Sequence, residues 1–401
     1  MEASVKNFIL FDDETWSDLL PLTFTRPVSE LRMGILTIKE KWEKWLNAPV
    51  SYMTQPYLSE KYTLTKGNEN VLINSSITPS MDIVQEILTL EPGNLLISGK
   101  TIVASNSGND IPDELSTELM LPFKYITVRS SFFKLNFPWE IFLNNGTELV
   151  SDYNLLTRNR VSAPISSTNQ VIKPENVFIE EGASVECSIL NATPGPIYIG
   201  KDAEVMEGSI VRGPFALCEH SSLKLGAKVY GPSTIGPHSK VGGEVNNSVI
   251  IGYSNKAHDG FLGNSVIGEW CNLGADTNTS NLKNNYAPVK VWSYTQETFM
   301  DTGLQFCGLV MGDHSKSGIN TMFNTGTVVG ISANIFGAGF PRSFIPSFSW
   351  GGSGGFTTYS ISKAFETIEI VMKRRGLEFN KTDRNIIEHI FNLTFEFKKK
   401  V

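Results

Sequence analysis

IGKDAEVMEGSIVRGPFALCEHSSLKLGAKVYGPSTIGPHSKV, residues 199–241, sets Ile199, Val205, Val211, Leu217, Leu223, Val229, Ile235 and Val241 at intervals of six, with small residues, Gly, Pro and Ser between them. A helix needs a period near 3.6 and a half-buried strand a period of 2. Six residues suit one short strand and one tight turn, with a single large aliphatic pointing inward per unit. That is the hexapeptide signature of a parallel β-helix. The pattern fixes an architecture and leaves open whether the solenoid is a catalyst or a spine.

Outward from this stretch the frame begins near Val177. It loses its strict spacing at GGEVNNSVIIGYSNKAHDGFLGNS (242–265) and resumes at Ile267 and Leu273. SNLKNNYAPVKVWSYTQETFMD (280–301) interrupts it before it returns at Met311, Phe323, Val329 and Ile335. A solenoid tolerates outer loops without losing core register, so the interruptions mark where it does something other than stack. The expected solenoid spans 177–355. A tail at 356–401 reads as two helices, 361–376 and 382–400, expected to cap its open end.

Residues 1–160 read as an α/β domain. NFILF is a short apolar strand, VLIN (71–74), NLLIS (94–98) and YITVR (125–129) are further strands, and ILTIKEKWEKWL and MDIVQEILTL have amphipathic helical spacing. Strand–helix–strand order suggests a parallel sheet. Residues 161–176, polar with two prolines, read as a linker.

The 401 residues carry 19% charged and 41% hydrophobic side chains and a net charge of −7. This is a soluble globular composition of at least two domains, and it argues against a nucleic-acid surface. No stretch approaches the roughly 18 apolar residues that span a bilayer, so a cytoplasmic protein with no membrane partner is expected. Cys187, Cys218, Cys271 and Cys307 are scattered and read as isolated buried thiols. His220, His238, His258 and His314 show no metal-ligand spacing.

KAHDGFLGNSVIGEWCNLGADTNTSNLKNNYAPVKV (256–291) gathers His258, Asn272, Asn281, Lys283 and Lys290 where the frame breaks. One coil takes about 18 residues, so His258 and Asn272 fall on adjacent coils about 4.8 Å apart. A neutral imidazole there can serve as general base for an amine attacking an acyl thioester. The asparagines can hold sugar hydroxyls or orient the ring, and backbone N–H groups can stabilise the oxyanion. The same histidine can equally be a polar turn residue.

This segment resembles the acetyltransferase half of the bifunctional N-acetylglucosamine-1-phosphate uridylyltransferase / glucosamine-1-phosphate acetyltransferase family and its archaeal relatives. The family pattern, a His followed by Y-x-G-D, I-G, N-x-G-A-G-T and a later Asn, reads here as His258, FLGN, Ile267-Gly268, Asn272-Leu-Gly-Ala-Asp, Thr277 and Asn281. The resemblance implies a left-handed parallel β-helix, an acetyl-CoA substrate and a homotrimer. It implies His258 as the base, with Phe261, Asn272, Asn281 and Lys290 toward the sugar phosphate and Lys316, Ala338 and Arg342 toward acyl-CoA. This chain departs from the pattern at Phe261 for Tyr, Asn264 for Asp and Asp276 for the second Gly.

LLPLTFTRPVSELRMGILTIKEKW (19–42) is similar to the L-x-P-L-T…P-K stretch of sugar-1-phosphate nucleotidyltransferases, and implies a Rossmann-like nucleotidyltransferase fold. Asp12, Arg26, Arg32 and Lys41 would then face a nucleoside triphosphate or UDP-sugar, with Mg²⁺ if the domain is active. The opening D-D-x-x-W…L-x-P-L-T-x-x-R-P…E-L-R-x-G resembles a divergent bacterial subgroup of these proteins. The family's Gly-rich loop is replaced by DDETWSD (12–18), its lysine by Val28, and its metal-binding G-D by Ser75-Ser76. Three readings follow: a bifunctional sugar-nucleotide enzyme, an acyltransferase with a degenerate N-terminal domain, and a non-catalytic trimeric scaffold.

Overall fold

The computed structural model describes residues 6–111 and 123–397. Two compact units are present. The first comprises residues up to Leu19, Thr25–Leu31 and Leu36–Phe137, and the second comprises Leu20–Phe24, Arg32–Ile35 and everything from Pro138 onward.

The first unit is built on a six-stranded sheet of β1 (Asn7–Phe11), β2 (Val50–Met53), β3 (Asn70–Asn74), β4 (Asn94–Ser98), β5 (Thr101–Gly108) and β6 (Lys124–Thr127), in the order β2-β1-β3-β5-β4-β6. β1 is parallel to β2 and β3, and β4 to β6, but β5 runs antiparallel between β3 and β4. The sheet is therefore mixed, not wholly parallel. TIVASNSG gives no strand pattern because its buried positions include Ser105 and Asn106, which are polar. Two residues, Gly99 and Lys100, turn the chain from β4 into β5, with Gly99 at φ 59° where a left-handed backbone suits glycine.

Helix α1 (Thr15–Asp18) is a single turn. Helix α2 (Ile38–Leu46) starts in a full capping box, in which the Glu40 amide donates to the Thr37 hydroxyl at 3.2 Å and the Thr37 amide to the Glu40 carboxylate at 2.7 Å. Its Trp42 is buried and donates to the Ile77 carbonyl at 2.9 Å. Helix α3 (Met81–Leu88) follows the Ser80 cap.

The second unit is the expected parallel solenoid. Its three faces carry six, nine and ten strands. All eight aliphatics of the 199–241 frame are buried in one core column, joined further along by Met311, Phe323, Val329 and Ile335. The residues expected as a linker form the first coil. Gln170–Ile172 is the outermost strand of the six-stranded face, and Ala163, Ile165 and Val171 pack over the end of the core. Short apolar residues among polar ones do this work, which is why the segment reads as loop.

Helix α4 (Pro138–Thr157) clusters with the solenoid, so the compact α/β unit ends at Phe137, before the sequence-based boundary at 160. The chain closes with a hairpin, Ser349–Gly352 against Gly355–Thr358, then helices α5 (Ile361–Lys373) and α6 (Lys381–Leu393). These helices flank the solenoid rather than plug its end. Val371 shares a cavity wall with Lys240 and Tyr253, several coils back, and Phe391 packs edge-on against Phe348. Among the described residues no helix is long and apolar enough to cross a membrane.

Leu217→Ala, at a fully buried core position, is expected to cost about 2–5 kcal/mol of unfolding free energy, whereas Ile210→Ala on the outer surface should stay within about 0.5 kcal/mol. Denaturant unfolding of the two variants checks the direction of each side chain.

Candidate functional site

Coil stacking turns sequence spacing into columns. Where the frame is regular, bonded neighbours are 18 residues apart, as Ser239 and Ser221 are. Across the break the step shortens to 15 between Ser254 and Ser239 and to 17 between Cys271 and Ser254. It then lengthens to 44 between Leu309 and Ser265, because an insertion with its own hairpin, Lys290–Ser293 against Thr298–Asp301, leaves the coil and returns.

The 17-residue step decides which candidates meet. Asn272 stacks on Asn255, whose amide donates to it at 3.0 Å, and not on His258. His258 is exposed at the following corner, where Asp276 lies next to Asp259 through an amide–carbonyl bond of 2.9 Å. His258, Asp259, Ala275 and Asp276 line one cavity of about 750 Å³ with Lys224 and Leu225, whereas Asn272 lines another. Asp276 holds φ 59°, a left-handed position that Asp tolerates and that explains how it can replace a glycine.

Lys256 holds this corner. It occupies the inward position that Val241 holds one coil earlier, and only 3% of it is exposed. Its ammonium donates to the carbonyls of Gly242 at 3.0 Å and of His258 at 2.7 Å. Burial pushes its pKa down to about 8, against the pull of Asp259 and Asp276. The sequence signal was a charged residue in an aliphatic column, legible only once the column is in register.

Phe261 and Asn281 meet on the next face. The Asn281 amide donates to Asn264 at 2.8 Å, and a Cβ on Gly263 would lie 2.5 Å from the Phe261 ring and 2.7 Å from the Asn281 amide nitrogen. Lys290 is apart from these, exposed on the inserted hairpin opposite Asp301. The three residues expected at acyl-CoA are also dispersed. Lys316 stacks on Asn272, Arg342 lines a cavity of about 340 Å³ beside the terminal hairpin, and Ala338 offers its carbonyl to the Ser353 hydroxyl.

His220, His238 and His314 have a structural explanation. They stack in one corner column with Tyr253 and Trp270, at successive centroid separations of 4.9, 4.8, 4.3 and 6.1 Å. Cys218, Cys271 and Cys307 are buried as expected, but Cys187 is exposed, and among the described residues none of the four is in a disulfide.

In the first unit the DDETWSD loop is tied by its own carboxylates. Asp12 accepts from the Val28 amide at 3.0 Å, the Ser75 hydroxyl at 2.5 Å and the Thr54 hydroxyl at 2.6 Å. Burial nevertheless raises its pKa to about 6. Asp13 accepts from the Thr15 amide at 3.0 Å and the Asn74 amide at 2.8 Å, and pairs with Lys134 at 3.2 Å. Although burial opposes it, Lys134 and the hydrogen bonds together hold the Asp13 pKa below its ordinary value. Lys134, absent from the sequence-based candidates, is the cation this loop uses.

All four carboxylate oxygens are engaged, and among the described residues no group of three or more His, Cys, Asp or Glu side chains could hold a metal ion. The arrangement does not fit a resident Mg²⁺. Arg26 and Lys41 are buried in this unit, the Arg26 carbonyl accepting from Trp16 at 3.2 Å. Arg32 belongs to the other unit. It lies in the solenoid unit, where it donates to the carbonyls of Ile251 at 3.2 Å and of Ile35. The adjoining Gly34 (φ 86°) and Ile35 bind Asn145 and Asp152 of α4, and a Cβ on Gly34 would sit 2.5 Å from the Asp152 carboxylate. The R-x-G part of the N-terminal signature is therefore an anchor within the solenoid unit.

Comparison with known proteins agrees with a two-part chain. Residues 8–161 match the family described as sugar nucleotidyl transferase. The chain is 37% identical over 87 residues to the bifunctional protein GlmU of Methanocaldococcus jannaschii, covering 22% of this chain and 21% of that protein. It is 30% identical over 162 residues to a bifunctional sugar-1-phosphate nucleotidylyltransferase/acetyltransferase of Sulfurisphaera tokodaii, covering 40% and 39%. A third relative, the uncharacterized acetyltransferase YaiX of Escherichia coli K12, is 25% identical over 160 residues, covering 39% and 66%. None of the three is matched over its whole length.

The Asp12 pKa gives a signed prediction. A carboxyl whose folded pKa, about 6, exceeds its ordinary value of 3.8 contributes stability that is full below the unfolded pKa and lost as pH rises through the folded one. Asp12→Asn should therefore gain on the wild type between pH 4 and pH 7, by at most about 3 kcal/mol. Thermal unfolding of both proteins at the two pH values reads the difference, and a difference independent of pH would contradict the assignment.

Proposed function

We propose that this chain, whose residues 8–161 match the sugar nucleotidyl transferase family, is an enzyme of sugar-nucleotide synthesis whose solenoid transfers an acyl group from acetyl-CoA to the amino group of a sugar phosphate. The observation that carries the reading is the corner at His258: an exposed imidazole in a cavity of about 750 Å³ that it shares with Asp259 and Asp276. Two carboxylates beside the base attract an aminium substrate, which releases one proton to solvent before the free amine attacks.

The balance is simple. The amine nitrogen attacks the thioester carbonyl, the C–N bond forms and the C–S bond breaks. His258 accepts the nitrogen's proton and returns it to the departing thiolate, leaving an amide and free CoA thiol. Lys256, bonded to the His258 carbonyl, is a positioning residue that fixes the backbone from which the imidazole projects. Phe261, Asn264 and Asn281 lie three to twenty-three residues further on and present a ring face and amides suited to a sugar. In this reading Asn272 and Lys316 belong to a neighbouring subsite, and a second subunit of a homotrimer would complete the donor site.

A second reading concerns the first unit. The Asp13–Lys134 pair at the loop after β1 favours a phosphate-bearing ligand there, since a lysine held by a carboxylate can be handed to a phosphate. The self-tied Asp12 favours a domain that binds a nucleotide or nucleotide sugar over one that turns it over through a resident metal.

His258→Ala is expected to lower acyl transfer to amino-sugar phosphates at least about 100-fold, the scale of general-base catalysis, and to leave nucleotide binding unchanged. Lys256→Met should lower kcat about tenfold with little change in KM. Acetyl-CoA consumption, followed by thiol release across a panel of amino-sugar phosphates, checks both. An unimpaired His258→Ala enzyme would remove the assignment.

A further inference from the structure

Every coil of the ten-stranded face contributes one outward side chain, and four successive ones, Lys240, Asn255, Asn272 and Lys316, form a column. α5 runs back along this face. A 13-residue helix is about 20 Å long, close to the roughly 24 Å of five strand spacings that separate the terminal hairpin from Lys240. Its far end delivers Arg374 and Arg375 to a cavity of about 540 Å³ that Lys240 and Lys316 also line.

Among the described residues no carboxylate lines that cavity. Glu204 pulls on Lys240, and Glu219 and Glu269 lie at the margin near His238 and Tyr253, but Arg375, Lys224 and Arg374 act on Lys240 in the opposite sense. Burial and this like-charge crowding push the Lys240 pKa down, and burial alone takes that of Lys316 to about 8. The wall between these cations includes the amides of Asn255 and Asn272 and the rings of Tyr253 and Trp270. Their faces are occupied by each other in the ring column, 4.3 Å apart, so they offer ring edges, the positive side of the aromatic quadrupole. A helix whose only task was to cover the face would not bring two arginines to two lysines.

We propose that this cavity binds a diphosphate-bearing nucleotide, either a nucleoside diphosphate or its sugar or the nucleotide end of a coenzyme A, and that α5 supplies two of the cations that hold it. Its size suits a small-molecule ligand, and four cations exceed what a single phosphate monoester can neutralise. The inference stands on binding and does not depend on the acyl-transfer reading.

Isothermal titration of the full chain with pyrophosphate, UDP, UDP-sugar, 3′,5′-ADP and coenzyme A tests it. At least one diphosphate-bearing probe should bind, more weakly as salt rises, and Arg374→Ala/Arg375→Ala should weaken it at least tenfold. Lys240→Glu, on a coil and not on the helix, should do the same, which guards against a variant that merely loosens α5. Binding of UDP or UDP-sugar without coenzyme A identifies the first source, and binding of coenzyme A without UDP the second. His258→Ala should bind as the wild type does, so loss of acyl transfer and loss of this site are separable. Failure of every probe at millimolar concentration, or wild-type affinity in both the arginine double variant and Lys240→Glu, would overturn the proposal.

Discussion

The parallel hydrogen bonding between successive coils governs the solenoid. On the ten-stranded face the amides of Glu204, Ser222, Lys240, Asn255, Asn272 and Lys316 donate to Ser221, Ser239, Ser254, Cys271, Ser315 and Ala333 of the next coil, all at 2.8–3.0 Å. Because each bond fixes one residue over another, the length of each coil decides which side chains stack in one column, and the corners absorb the difference. Chemistry here is therefore a matter of register. The regular coils put aliphatics inside at each step, and the coils that shorten to 15 and 17 put Lys256 where an aliphatic belongs and leave His258 exposed at the corner beyond it.

That constraint also explains what was legible in the sequence. The 199–241 frame identified the solenoid and its inward residues, because a strict period maps directly onto burial. The break at 242–265 marked unusual geometry, and His258 and Asn272 do fall on adjacent coils, but the 17-residue step stacks Asn255 on Asn272 and leaves His258 at the next corner. The ring column was hidden for the same reason. His220, His238, Tyr253, Trp270 and His314 are unevenly spaced in sequence yet stack one on the next in space. The mixed sheet was missed at TIVASNSG, whose buried serine and asparagine are paid no attention by a hydrophobicity pattern.

In the N-terminal unit the sequence showed where the family's loop had changed, but not what the replacements do. Asp12 and Asp13 look like groups awaiting a metal, yet Thr54, Ser75, Asn74 and Lys134 engage them, and three of those four partners lie more than forty residues from the loop. Arg32 looked like a phosphate ligand and proves to serve backbone carbonyls in the solenoid unit, as its neighbours Gly34 and Ile35 serve α4. Long-range partners of this kind leave no local pattern to read.

Ligands act on the irregular coils, the regular-coil side chains that line the same cavities, and the returning helix, while the earlier coils set height and register. Amide hydrogen exchange of the full chain, with and without saturating acetyl-CoA, tests this most directly. Slowed exchange confined to segments within 206–276, 314–320 and 371–376, with 177–203 unchanged, is the predicted result. Protection centred on the coils at 177–203, with the His258 corner unaffected, would contradict it.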